Sequence, residues 1–193
     1  MPSVKFKVRF KTISFDKEKF TSDYMNGLKE LTKKAARAFA LAASNRVHVD
    51  TGMARSTFLG KVETFEGGVS DANEYLGLKD SPASINVSGA IQRTRKDADK
   101  AKYWRKGSMF PGIRGTYIRT PEAGAERGLF MFQIIGSKIS FLFFPSVRHY
   151  LYWENKWRSM DIGRKAFSAY IQANKKKYIP KLNKYYKMSY RSA

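Results

Sequence analysis

The chain has 193 residues, 42% of them hydrophobic and 15% aromatic, which is enough apolar surface for one folded domain and excludes a disordered polybasic chain. It carries 37 Lys and Arg against 16 Asp and Glu, a formal net charge of +21, and so much self-repulsion implies an anionic partner: nucleic acid, an anionic membrane or an acidic protein. It has no cysteine, which excludes disulfides, thiolate zinc sites and cysteine nucleophiles.

Residues 4–10 alternate, with Val4, Phe6, Val8 and Phe10 facing one way and Lys5, Lys7 and Arg9 the other. Period two predicts a half-buried strand with a basic outer face. Asp16 then reads as a helix N-cap, with Glu18 in the first turn. Phe20, Tyr24, Leu28, Leu31, Ala35, Phe39 and Ala42 recur every three or four residues, predicting one long amphipathic helix to about Arg46. Its second half is rich in alanine and invites close packing. Gly27 weakens it slightly. Val47-His48-Val49 reads as an extended link, and Asp50-Thr51-Gly52 as the start of a short helix through Ser56. Phe58 to Phe65 alternates weakly and reads as a strand.

Residues 67–128 are rich in Gly, Ser, Pro and charge, and read as a long insertion or arm that packs on something, in an assembly on a neighbour. Leu129 to Ile135, a Gly136-Ser137 turn, and Lys138 to Phe144 predict a hairpin, hydrophobic enough that both faces should be covered. Helical spacing returns from about Ile162 through Ala166, Phe167, Tyr170 and Ile171. Residues 180–193 form a basic C-terminal tail. The whole, residues 1–193, reads as a single domain of α+β class. A small, mostly antiparallel sheet is packed by a long N-terminal helix and a C-terminal helix.

The chemistry of known catalytic motifs is missing. His48 and His149 lack metal-ligand spacing, and a hydrogen-bonded or exposed histidine is the favoured reading of each. No phosphate-binding glycine loop and no Gly-x-Ser-x-Gly elbow occurs. No catalytic residue, metal site or cofactor is therefore expected, nor a small-molecule substrate. No apolar run approaches the ~20 residues of a membrane helix, and no signal peptide is seen at Met1-Pro2-Ser3-Val4-Lys5, so folding in a cytoplasm is expected. The lysines Lys175, Lys176, Lys177, Lys181, Lys184 and Lys187 interleave with Tyr178, Tyr185 and Tyr186. They read either as contacts to a nucleic-acid backbone or partner, or as a solvated helix face whose tyrosines dock on the core.

One pattern is more specific. A long helix ends in Val49-Asp50-Thr51-Gly52-Met53-Ala54-Arg55-Ser56-Thr57, and Tyr150-Leu151-Tyr152-Trp153-Glu154 precedes a closing helix. This resembles the minor virion proteins of tailed phages that complete the neck or tail, the head–tail connector family. The likeness covers roughly residues 16–65 and 129–185. His48 stands where the family has Pro, Ala54 replaces Leu, and Thr57 replaces Ser. The resemblance implies a ring of identical subunits, contacts to portal or adaptor and tail proteins, and DNA as passing cargo. It also implies localisation in the virion. Asp50, Thr51, Gly52, Arg55, Tyr150 and Glu154 would then be structural, with Asp50 a helix cap and Glu154 a candidate partner for Arg55. The alternative is a basic, sequence-independent nucleic-acid-binding protein.

Overall fold

The computed structural model describes residues 9–47, 53–79, 128–136, 138–145, 154–155 and 158–192. The expected strand residues before Arg9, most of the 67–128 segment, and Tyr150 lie outside them. The fold is α+β, with a long N-terminal helix, a C-terminal helix and small sheets of mostly antiparallel strands. It divides into two compact units: Met1–Leu31 with Asn174–Ala193, and Thr32–Ala173.

In the first unit, β1 (Arg9–Phe15) pairs antiparallel with β6 (Tyr186–Ser192) in a two-stranded ribbon. The C-terminal segment is thus a strand, where the sequence suggested a solvated helix face or tail. Its alternation of Tyr186, Met188 and Tyr190 with Lys187, Ser189 and Arg191 carries the period-two signal. Helix α1 (Lys17–Arg46) starts where expected: Asp16 Oδ1 accepts from the Lys19 backbone N–H at 3.1 Å, an N-cap bond that satisfies a free amide. Phe15, Phe20, Tyr24 and Tyr185 cluster, Phe20 meeting Tyr185 edge-on at 5.2 Å. The Tyr185 hydroxyl donates to Asp23 at 2.7 Å. Gly27 does more than weaken the helix. A Cβ there would collide with the backbone carbonyl of Tyr178, so the absent side chain permits a close approach of two main chains.

The second unit holds the four-stranded sheet. Its strands β2 (Lys61–Glu63), β3 (Val69–Asp71), β4 (Gly128–Ile135) and β5 (Lys138–Pro145) lie in the order β3-β2-β4-β5. Only β2 and β4 run parallel. Before β2, Met53–Ser56 forms the short helix α2, and Thr57–Leu59 a 3-10 turn. The expected strand from Phe58 to Phe65 therefore shrinks to three residues. Phe58 is wholly buried within the turn, so its apolar signal belonged to core packing rather than to a pleat. The hairpin β4–β5 forms as expected, with Gly136 at φ +60° in its turn. Its faces are not both covered. Ile135, Leu142 and Phe144 are exposed, because β4 buries alternate residues and β5 lies at a sheet edge among the described strands.

The described start of the 67–128 segment contributes to this unit. Val69–Asp71 forms β3, helix α3 (Ala72–Tyr75) follows, and Ala72, Leu76 and Leu78 belong to the core. The closing helix α4 spans Ser159–Tyr178, starting three residues earlier than its spacing suggested. Ala36, Ala40 and Ala43 of α1 are buried beside Phe39, whose ring meets Phe58, Phe141 and Phe143 at 5.4–6.1 Å. Gly163 of α4 completes the contact. A Cβ there would lie 2.7 Å from the Phe39 ring and 3.0 Å from Ala43. A chain of stacked and tilted phenylalanines, Phe58, Phe143, Phe130, Phe141 and Phe167, continues the core. Such rings bury large areas and gain further from offset geometry.

Candidate functional site

Of the six motif residues, Asp50, Thr51, Gly52 and Tyr150 lie outside the described residues. Arg55 and Glu154 are described, and the expected ion pair is not what they make. The Arg55 side chain is buried. Its Nε donates to the Ser44 backbone carbonyl at 2.7 Å, and an amino group approaches Asn45 Oδ1 at 3.4 Å. Ser44 belongs to the last turn of α1, whose carbonyls lack partners further along the helix. A guanidinium there satisfies an acceptor and meets the negative end of the helix dipole. Burial pushes the Arg55 pKa down from its usual value.

Glu154 serves the opposite pole of another helix. Its carboxylate accepts from the backbone N–H of Met160 at 2.9–3.0 Å and from the Ser159 hydroxyl at 2.7 Å. These groups open α4, where free amides and the positive dipole end favour an anion. The chain reaches this point through Arg158 at φ +52°, a left-handed conformation that costs about 1–2 kcal/mol for a side-chain-bearing residue. The amide of Arg158 bonds to the carbonyl of Glu154 at 2.8 Å, closing the turn that brings the carboxylate back. Asp161 adds a second acid to the first turn of α4. Its carboxyl is held below the usual range by hydrogen bonds from Lys165 and Arg164, with Arg158 also nearby. Arg55 and Glu154 therefore cap two helices, a role that a pairing rule applied to sequence could not separate from an ion pair.

The six lysines fall into two groups. Lys175, Lys176 and Lys177 form the last turn of α4, where cations complement the dipole, and all three are exposed. Lys181 precedes the 3-10 turn Leu182–Tyr185, Lys184 lies within it and Lys187 on the following strand β6, and all three are exposed. Lys187 Nζ lies 3.6 Å from Asp16 Oδ2, a surface pair of small energetic weight. Tyr185 docks on its unit's aromatic cluster, while Tyr186 is half exposed. Hydrogen bonding to Asp23 raises the Tyr185 pKa, and desolvation adds to it. Sequence reasoning missed the ribbon's apolar face, on which Ile13 stands opposite Met188 and Phe15 opposite Tyr186.

In the second unit an apolar cleft of about 480 Å³ opens among α1, β5 and α4, lined by Thr32, Phe39, Phe141, Met160, Arg164 and Phe167. Among the described residues that line it, Arg164 alone is ionisable, and it bonds to Asp161 at 3.0 Å. Among the described residues no group of three His, Asp or Glu could hold a metal, and no helix is long and apolar enough to cross a membrane. Comparison with family models, curated protein sequences and solved structures found no match.

Proposed function

We propose that this chain is a non-enzymatic structural subunit of a tailed-phage neck or tail, copies of which form a ring that joins or completes the head–tail connection. Portal or adaptor proteins and tail proteins bound the ring, and DNA passes through it as non-specific cargo. The supporting observation is the use made of Arg55 and Glu154, the described members of the motif that carries the family likeness. Both are consumed in capping helices, which suits a scaffold and leaves neither poised for chemistry. The exposed apolar residues Ile135, Leu142 and Phe144 suit contacts between copies. A ring subunit meets each neighbour through two different surfaces, and rotation closes the set.

Electron microscopy of the purified full chain tests this, with closed rings as the expected image. Metal-dependent DNA cleavage is expected to be absent. The second reading, a sequence-independent nucleic-acid-binding protein, draws on the concentration of cations in the first unit. A chain that stays monomeric at every concentration and binds duplex tightly, with affinity falling steeply as salt rises, would replace the ring with that reading.

A further inference from the structure

The β1–β6 ribbon has a mixed surface that neither solvent nor nucleic acid matches well. Ile13 is 57% exposed and faces Met188, 61% exposed, across the ladder. The next pair on that side, Phe15 and Tyr186, is 38% and 51% exposed with ring centroids 5.1 Å apart. Leu182, in the turn before β6, is 53% exposed. Five large apolar side chains thus gather on a ribbon and its adjoining turn. Exposed lysines lie beside them: Lys11 two residues before Ile13 on the same face of β1, and Lys181 and Lys184 flanking Leu182 at the adjoining turn.

The balance of charge in this unit is one-sided. Its sequence holds fourteen Lys and Arg against four acids, Asp16, Glu18, Asp23 and Glu30. Two of those acids already serve the fold: Asp16 caps α1 and pairs with Lys187, and Asp23 accepts from Tyr185. The surface therefore requires anions from outside. A phosphate backbone would supply charge, but a duplex gives aliphatic residues such as Ile13, Met188 and Leu182 almost nothing to cover beyond thymine methyls. An interface with an apolar centre and a charged rim is the arrangement found between proteins.

We infer that the exposed face of the β1–β6 ribbon is a docking surface for an acidic protein partner, one that presents apolar side chains ringed by Asp and Glu. The inference rests on the neck or tail reading only for its setting, where the partner is the adjoining ring. A second copy of this chain is a poor occupant, since the like charges of two such units repel.

The test uses the full chain and four labelled probes: a peptide alternating Glu with Leu, one of Glu with Ser, one of Gln with Leu, and a DNA duplex. Fluorescence anisotropy is read at about 50 and 200 mM salt. The Glu/Leu peptide is expected to bind at least about tenfold more tightly than either other peptide, and to lose less affinity to salt than the duplex does. Replacing Ile13→Thr with Met188→Thr, or Lys11, Lys181 and Lys184 together by Gln, should each weaken that peptide about tenfold. Threonine keeps the strand propensity. Amide exchange across β1 and β6 checks that the ribbon survives, and single Met188→Thr serves if the pair does not. Equal binding of the two Glu peptides, or no effect of the aliphatic replacements on an intact ribbon, overturns the inference. So does a duplex bound more tightly than the Glu/Leu peptide. Rings in the microscope together with such a result would leave the neck reading standing and remove this one. Peptide binding without rings would do the reverse.

Discussion

The two units solve the same problem with different materials. The second has a surplus of eleven cations over 142 residues and a phenylalanine core on which two helices and a sheet converge. The first carries nearly the same surplus, ten, on only 51 residues, whose described part holds an aromatic cluster and a two-stranded ribbon. A two-stranded sheet is marginal in water without further packing. Charge density and core size therefore run in opposite directions. One unit is built to hold a shape, and the other presents a surface at the cost of self-repulsion.

This contrast can be broken by mutation. The largest effect is expected from Phe39→Ala, which opens a cavity where three rings meet and should cost about 3–5 kcal/mol in urea unfolding. Gly163→Val strikes the same contact by overpacking, at about 1–3 kcal/mol on the same measurement. Arg55→Met strands the buried Ser44 carbonyl and should cost about 1–3 kcal/mol. Lysine at this position should restore little of that, since it lacks the guanidinium's planar fork. If any of these leaves unfolding unchanged, the second unit is not the one that carries stability.

The smallest effects sharpen the contrast through pH. In the first unit the Tyr185 pKa is raised, so its contribution is present below the ordinary tyrosine value near 10 and is lost as pH climbs through the raised one. In the second unit the Asp161 pKa is depressed. Its contribution is present above the ordinary aspartate value near 4 and is lost as pH falls through the lowered one. Amide exchange should show β6 loosening on the alkaline side in wild type, with Tyr185→Phe removing that pH dependence. The first turn of α4 should loosen on the acid side, with Asp161→Asn removing the difference and added salt shrinking it.

The fold was legible where one period dominates. α1 and the β4–β5 hairpin announce themselves because burial on one side imposes a 3.6- or 2-residue rhythm. The turn at Thr57–Leu59 misled because Phe58 is buried by tertiary packing with no repeat to reveal it. β6 was hidden because the lysine-rich stretch leading into it dominates the composition of the segment, although its own alternation was present. The site was legible as a set of residues but not as a set of bonds. Arg55 and Glu154 are complementary charges, and sequence alone suggests pairing. Each instead finds a helix end, because a terminal carbonyl or amide that is buried must be satisfied by something nearby.

Gly60 and Gly128 carry one more consequence. A Cβ on Gly60 would strike the Gly128 carbonyl, and one on Gly128 would strike that of Thr57, so three stretches of main chain meet where β2 and β4 run side by side. Fifty residues upstream of Gly128, Leu78 is likewise buried, and its amide bonds to Asn73. Each of the two glycines is thus a spacer whose smallness sets how near these backbones lie, and alanine at either position would wedge them apart.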